Sequence, residues 1–486
     1  MLAFKHPAPA IELVSVAAGT FSMGHMDGHD DSGRESPTHD VTLSSYAIGR
    51  FPVTNAQYAL FIDDTGFAPP STWKDGEPPY GRDDHPVGGL SWLDAALLCA
   101  WLRYKTGEPY HLPTEAQWER AATWDEASAA KRAYPWGDQR DTSLANTLDA
   151  GPKRTTPVGA YSPQGDSPCG CADMVGSAQE WCNTAMREYP YEADDGCESI
   201  AADGRRALRG GDWYSAMVTA VRRNTPGPEW RHLWGVRVAS SDALAVAERG
   251  FRLRLAAWAA DEEPSYLRAT GQDPENPQAW YTYGMWLLEV CDAGIDRAAD
   301  ASRALSNALT REQSAARGVL GFRKPRLTAT LAAVYHARAR ARLLQARRDD
   351  AFADALEAYK LEPANLEYAL LRAQITCALE RWPQLAQDLA LLDGAALIDG
   401  SAEFALIEAR FHSGVRDYAK ALAVLNKLIG RSVVEPPPLE AFLLRGEVYD
   451  KLGRAAEALG DYCRFALLAP ADQRSPDLLR RILTSQ

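Results

Sequence analysis

The sequence predicts an α+β chain of two parts, a mixed strand-and-helix domain followed by an all-helical domain. Short apolar runs alternate with turn residues over residues 11–48, as they do in β-strands. After Ser240 and Ser241 the composition changes to alanine, leucine, arginine and glutamate at helical spacing. A chain of 486 residues is also too long for one ordinary core. We therefore expect one domain at residues 1–241 and a second at 242–486.

Acidic residues are concentrated in the first domain. Residues 1–240 hold 21 Lys and Arg against 32 Asp and Glu, a net charge of −11, whereas the rest of the chain carries −2. This balance argues against binding to nucleic acid or a membrane surface and is compatible with a cation or a basic partner. The sequence has no apolar run of membrane-spanning length and no signal-peptide pattern. With eight scattered cysteines, it predicts a cytoplasmic protein with reduced thiols.

Three helices of the first domain are predicted by capping boxes, in which a hydroxyl side chain and a side chain three residues later each accept a backbone N–H. They begin at Thr54, Ser91 and Thr114. Apolar residues at helical spacing in the second helix include Cys99, which we interpret as a core residue. From residue 124 this periodicity is lost, and ten of the fourteen tryptophans lie in the first domain. We expect these large rings to hold irregular, functional loops together.

The second domain contains units that resemble the 34-residue tetratricopeptide repeat. In the clearest unit, Gly446, Ala458, Tyr462 and Pro470 have the residue types and offsets of that repeat. A second unit ends at Pro363, which precedes Pro470 by 107 residues, close to three periods. The pattern predicts a solenoid of four or five irregular helical hairpins, and an unrelated helical bundle is the alternative.

Eight motifs of the first domain occur in the order found in the formylglycine-generating enzyme, or sulfatase-modifying factor, family, which this part of the chain resembles. They lie at residues 19–24, 52–58, 85–95, 112–119, 135–137, 173–181, 209–211 and 235–237. The resemblance covers about residues 10–240 and implies a variant of the C-type-lectin fold. Because a fold can carry unrelated functions, the chemistry has to be judged residue by residue.

The resemblance implies where a metal-dependent oxidation would take place. In aerobic members of the family, two cysteines after the Gly-Gly pair bind copper as thiolates, the ligands that Cu(I) prefers. Those places hold Ser215 and Ala220, so we expect no copper and no formylglycine-generating activity. A second branch uses iron held by three histidines, with ligands from an additional N-terminal helical domain. Because the lectin-like fold is entered near residue 11, we do not expect iron either.

The resemblance also implies calcium, which the family binds through side-chain and backbone oxygens. Its main calcium segment corresponds here to Asp173, Gly176, Ala178 and Glu180. The alternative is that Glu180 takes part in an internal ion pair. A second calcium site of the family begins at a residue that matches Asn146, but its later ligands fall in a segment that is shortened here.

A Cys-Gly-Cys run stands where the family has a phenylalanine and a leucine around a glycine. Such a pair of thiols could in principle be redox-active or bind a metal. Since Cys169 and Cys171 replace apolar residues, we interpret both as core residues.

The loop after the Gly-Gly pair is the predicted binding site, since neither glycine carries a Cβ and loops on a rigid scaffold carry recognition. Its groove is predicted to contain Asp212, Trp213, Tyr214, Ser215 and Arg222. We predict a non-catalytic or catalytically altered adaptor of a bacterial interaction system, which binds a protein or peptide through this groove and the helical repeats. Two alternatives stay open, an oxidoreductase acting on a peptide or small molecule and an acidic inhibitor or immunity-like protein.

Overall fold

The computed structural model describes residues 6–25, 35–65, 67, 69–199, 202, 205–216, 224, 232–317, 330–392, 401–430, 438–469, 472, 474, 475 and 478. It divides into two compact units, of which the first combines Met1–Phe251 with Ile429–Gln486 and the second is Arg252–Leu428. The last helices therefore group with the first domain, whereas the division expected from the sequence puts them with the repeats. In the described ranges, every helix is too short or too polar to cross a membrane.

Short antiparallel strands form the β-structure of the first unit. The described strands are β1 (Leu13–Val16), β2 (Gly19–Met23), β3 (His39–Leu43), β4 (Tyr46–Gly49), β5 (Tyr110–His111), β6 (Trp124–Asp125), β7 (Ala130–Lys131), β8 (Glu180–Ala185), β9 (Arg206–Arg209) and β10 (Ala239–Ser240). The largest sheet has the order β1-β4-β10-β5, and β2–β3, β6–β7 and β8–β9 form separate pairs. Ala239 pairs with both Ile48 and His111, so the end of the domain lies between its earlier strands.

The three predicted helices of the first domain are confirmed. They are α1 (Asn55–Thr65), α2 (Trp92–Thr106) and α3 (Glu115–Thr123). Both bonds of the capping box form at Thr54, Ser91 and Thr114. Helix α2 ends at Gly107, whose φ of 76° lies in the left-handed region that glycine tolerates best. Cys99 is buried in the core of this unit, as its place on α2 predicts.

Tryptophan rings join the helices of the first unit to its irregular loops. Trp92, Trp101, Trp118 and Trp181 are all fully buried. Buried indoles also need a hydrogen-bond acceptor. The Trp181 indole N–H donates to the carbonyl of Leu90 at 3.0 Å, which ties the start of β8 to the loop before α2. The expectation that large rings hold the loops together is met at these positions.

Helices alone make up the described second unit. The helices after β10 are α4 (Ala243–Gln272), α5 (Pro277–Asp292), α6 (Ala298–Arg317), α7 (Leu331–Leu344), α8 (Arg348–Leu361), α9 (Leu366–Ala378), α10 (Trp382–Leu392), α11 (Ala402–Gly414), α12 (Tyr418–Gly430), α13 (Leu439–Lys451) and α14 (Ala455–Leu468). From α5 to α11 each helix packs against the next. This succession of hairpins is the predicted tetratricopeptide-like architecture.

A recurrent ion pair follows the repeat period. Arg338 donates to Asp354 at 2.7 and 2.8 Å, and Arg372 donates to Asp388 at 2.5 Å. The partners are 16 residues apart in both pairs, and the second arginine follows the first by 34 residues. Each pair joins the first helix of a hairpin to the second, because 16 residues lead from one helix through the turn into the next.

The hairpin of α13 and α14 has the same internal design but belongs to the first unit. Arg445 donates to Asp461, 16 residues later, at 2.7 Å. Helix α14 packs against α2, and Leu443 and Phe465 are buried in one cluster with Trp101. This hairpin is therefore a repeat in sequence and part of the core of the first unit in space.

Candidate ligand-binding groove

The loop after β9 lies against the segment before β8 because of two glycines. Gly210 and Gly211 have φ values of 95° and 68°, which a residue with a side chain rarely adopts. A Cβ on Gly210 would lie 3.2 Å from the carbonyl oxygen of Met174 and 3.3 Å from the Trp118 ring. The Gly176 N–H donates to the Gly210 carbonyl at 2.8 Å. The glycine pair thus permits the close backbone approach that the sequence indicates.

Next to the place where these two backbone segments meet lies an open cavity of 360 Å³. It is lined by Gln179, Asp212, Tyr214, Ser215, Asn224, His232 and Trp234. Its size is in the range of small-ligand sites. Of the residues predicted for the groove, Asp212, Tyr214 and Ser215 line the cavity, and Trp213 contacts Tyr214 edge to face at 5.7 Å between ring centroids. Arg222, like Ala220, lies outside the described residues.

The predicted groove residues from Asp212 to Ser215 form a tight polar turn, which makes one wall of the cavity. Asp212 is buried, and its Oδ1 accepts hydrogen bonds from the Ser215 hydroxyl at 2.7 Å and the Tyr214 N–H at 3.0 Å. The Ser215 carbonyl accepts from the Leu148 N–H at 2.9 Å, which fixes the far end of the turn. The Ser215 hydroxyl is therefore oriented as a donor to a carboxylate.

The opposite wall combines amides with aromatic rings. The Asn224 amide donates to Gln179 Oε1 at 3.1 Å. Trp234 lies 5.6 Å from the His232 ring and packs edge to face on Trp181 at 5.3 Å. Sequence reasoning missed Asn224, His232 and Trp234 as groove residues. The available signal was indirect, since Trp234 directly precedes the motif at 235–237.

A buried ion pair stands where the main calcium segment is predicted. Arg237 donates to both carboxylate oxygens of Glu180 at 2.9 Å, and the Trp118 indole donates to Oε2 at 2.7 Å. Glu180 thus has the internal ion pair that the sequence leaves open as an alternative to calcium. Asp173 Oδ2 accepts from the Gly159 N–H at 2.6 Å, and burial raises the pKa of Asp173 to about 6.

The other two residues of the calcium segment are also in contact with protein groups. The Gly176 carbonyl accepts from the Ala178 N–H at 2.8 Å. In the ranges that the structure describes, no three His, Cys, Asp or Glu side chains converge as a metal site would require. A calcium ion here would have to compete with the guanidinium of Arg237 for the Glu180 carboxylate.

Asn146 has a buried oxygen without a partner. Its Oδ1 is buried and accepts no hydrogen bond from the described residues, whereas its Nδ2 donates to the Arg154 carbonyl at 2.9 Å. Gly151, with a φ of 118°, passes so close that a Cβ there would collide with this oxygen. A water molecule or an ion bound to this oxygen would explain why it is buried without a protein donor. The Lys153 ammonium donates to the Leu148 carbonyl in the same loop.

Arg209, the first residue of the Arg-Gly-Gly motif, has a structural role. Its guanidinium pairs with Glu115 and Glu119 at 2.9 Å, and all three side chains are buried. Burial alone would raise the pKa of Glu119, but Lys131 and Arg209 lower it to about 2. This network fixes α3 against β9 immediately before the groove.

Comparison with known proteins gives a family match over the first half of the chain. Residues 2–242 match the family model described as the sulfatase-modifying factor enzyme 1-like domain. The chain is 32% identical over 242 residues to hercynine oxygenase of Mycolicibacterium thermoresistibile, covering 42% of this chain and 53% of that protein. It is 27% identical over 306 residues to formylglycine-generating enzyme of Mycobacterium tuberculosis, covering 50% of this chain and 96% of that protein. The chain spans between 53% and 62% of the length of the curated hercynine oxygenases with which it was compared.

Two solved structures are each similar to a little under half of this chain. PvdO from Pseudomonas aeruginosa is 27% identical with a TM-score of 0.39, and the match covers 49% of this chain and 99% of PvdO. YrrB, a tetratricopeptide repeat protein with a peptide-binding site, is 13% identical with a TM-score of 0.31, covering 44% of this chain and 96% of YrrB.

Proposed function

Since residues 2–242 form a domain of the sulfatase-modifying factor enzyme 1-like family, we propose that this domain retains the family scaffold and binds a partner in place of oxidising a cysteine. The observation that carries the proposal is Ser215, whose hydroxyl donates to Asp212 at 2.7 Å. The family resemblance assigns a copper-binding thiolate to this place. A hydroxyl held by a carboxylate offers no soft ligand to Cu(I). The whole chain then acts as a protein-binding adaptor.

The groove of the first unit suits a peptide side chain that can form hydrogen bonds. Tyr214 is 63% exposed beside Trp213, and exposed aromatic residues are frequent anchors of protein interfaces. Asp212 and Gln179 bring carboxylate and amide groups to the same cavity. An extended partner could place one side chain between these polar groups and the rings.

The helical unit offers a second surface with an acidic character. A cavity of 540 Å³ is lined by residues of α5, α7, α9 and α11, and it contains Asp292, Glu367 and Glu403 against one guanidinium, that of Arg340. Arg340 pairs with Asp292 at 2.9 Å. Burial lowers the pKa of His336 to about 4, so its ring is neutral at pH 7. This balance favours a peptide with basic side chains.

Peptide selection tests the groove of the first unit. A random peptide library is selected on the immobilised full chain, and the affinities of selected peptides are measured by calorimetry. Trp213→Ala combined with Tyr214→Ala should weaken the binding of peptides that use the groove by about 30-fold or more, since a single hot-spot aromatic residue contributes about 2 kcal/mol or more. Tyr80→Ala, which removes a fully exposed ring outside the groove, is the matched control. Equal affinities for both folded variants would remove the groove from the proposal.

We also propose calcium as a ligand of the first unit, at Asn146. Its partnerless buried Oδ1 is a hard oxygen of the kind that Ca²⁺ prefers. Protein purified without chelator should contain about one calcium per chain by elemental analysis. Asn146→Ala should lose this ion, whereas Asp173→Asn and Glu180→Gln should keep it. The reverse pattern would move the ion to the segment of Asp173, and wild-type protein without calcium would contradict both placements.

An oxidoreductase is the second candidate function. The 32% identity to a hercynine oxygenase over 242 residues favours it. The elemental analysis described for calcium separates the two candidates. About one iron or copper per chain, together with oxygen uptake in the presence of a thiol, would make the enzyme the better description.

A further inference from the structure

Two thiols outside the groove are held close together. Cys169 and Cys171 are separated by one glycine, and their sulfur atoms lie 3.6 Å apart. Gly170 has a φ of 94°, and a Cβ at this position would meet nothing within 4 Å. The glycine is therefore needed for its left-handed backbone rather than for space. This turn brings the side chains of residues two apart to the same side.

The two thiols differ in access. Cys171 is fully buried in a cluster with Tyr46 and Tyr134, whereas Cys169 is partly exposed at its edge. The Ser167 hydroxyl lies 3.4 Å from the Cys169 sulfur and accepts from the Cys171 N–H at 3.1 Å. A reagent in solution can thus meet Cys169 first, and Cys171 is placed behind it.

The surroundings also favour the thiolate at the outer position. Hydrogen bonding from the Cys171 thiol lowers the pKa of Cys169 to about 6, although burial alone would raise it, and Ser167 and Arg237 lower it further by smaller amounts. A thiolate is the attacking form in disulfide exchange. In contrast, burial raises the pKa of Cys291, another partly exposed thiol, which has no other cysteine near it in the sequence.

We propose that Cys169 and Cys171 form a thiol–disulfide exchange site for low-molecular-weight disulfides. The Cys169 thiolate attacks one sulfur of the small disulfide, forms a mixed disulfide and releases one small thiolate. The Cys171 thiol then attacks the Cys169 sulfur and passes its proton to the second small thiolate as it leaves, which closes the Cys169–Cys171 disulfide and releases the second small thiol. Two protein thiols are oxidised, and the small disulfide is reduced to two thiols. The sulfur separation has to shorten from 3.6 Å to about 2.05 Å.

The test uses the reduced full chain and oxidised glutathione as the probe. After incubation, free thiols are alkylated and peptides are analysed by mass spectrometry. In the wild type we expect a 169–171 peptide lighter by two hydrogen atoms and carrying neither alkyl group nor glutathione. Cys171→Ser should instead accumulate glutathione on Cys169 by at least about tenfold more than the wild type, because the second step is lost.

Controls within the chain keep the result interpretable. Cys291 should react at least about tenfold more slowly than Cys169, since it lacks a neighbouring thiol. In Cys169→Ser, Cys171 should carry no glutathione. Thermal unfolding of each variant reports whether the fold is intact. A wild type that stays fully alkylated at both cysteines at every glutathione ratio would overturn the proposal. Equal glutathione on Cys169 in the wild type and in Cys171→Ser would overturn the role of Cys171.

Discussion

In the first unit, the buried carboxylate of Glu180 depends on one cation, the guanidinium of Arg237. Both oxygens of Glu180 accept from Arg237, and neither side chain is accessible to solvent. Arg237→Met leaves this carboxylate buried without its cation, so we expect a loss of about 3–5 kcal/mol in the free energy of unfolding, measured by urea titration. Arg140→Met is the control, because Arg140 and Asp149 form a pair at 2.5 Å that is largely exposed.

The control pair should contribute less than about 1 kcal/mol, since solvent and salt screen exposed charges. Equal losses in the two variants would mean that the internal ion pair of Glu180 does not hold β8 to the end of the domain. Restored stability in the double variant Arg237→Met with Glu180→Gln would locate the penalty in the unpaired carboxylate.

At the scale of an element, the start of α2 depends on one hydroxyl. Ser91 accepts from the Asp94 N–H at 3.1 Å, and the Ser91 N–H donates to Asp94 Oδ2 at 2.9 Å. Ser91→Ala removes the cap and should destabilise the first unit by about 1 kcal/mol, measured by urea unfolding followed through tryptophan fluorescence. Ser265→Ala, at an exposed position inside α4, should be neutral or slightly stabilising because alanine is the better helix former. Similar losses in both variants would contradict the capping role.

At the scale of the whole molecule, the last hairpin completes the core of the first unit. Leu443 and Phe465 share a buried cluster with Trp101, and the Arg464 guanidinium lies 4.5 Å from the Phe67 ring. A chain that ends at residue 428 exposes this surface. We expect a lower midpoint for the thermal transition followed by near-ultraviolet circular dichroism, since the tryptophans of the first unit dominate that signal.

Adding the missing segment back provides the control for this truncation. Co-expression of residues 429–486 as a separate chain should restore the midpoint, because the lost contacts are non-covalent. An unchanged midpoint in the truncated chain would show that the hairpin packs on the first unit without stabilising it.

Features that depend on neighbours along the chain are predictable from the sequence. The capping boxes at Thr54, Ser91 and Thr114 involve residues three apart, and the strands at β1 to β4 follow local alternation. The repeat character of the helices also came from spacing. Such signals are readable because backbone geometry fixes which near neighbours meet. Eight motifs in order also sufficed for the family of the first domain.

Which distant groups become partners is seen only in the folded chain. Glu180 pairs with Arg237, 57 residues later, and Trp234 joins Asp212 in the groove although no local pattern links them. The last hairpin carries a repeat pattern but packs on α2, since a repeat pattern specifies the internal pairing of a hairpin and leaves its outer face to any complementary apolar surface. Contacts of this kind depend on the packing of the complete chain, because burial and charge compensation are settled only when all elements meet.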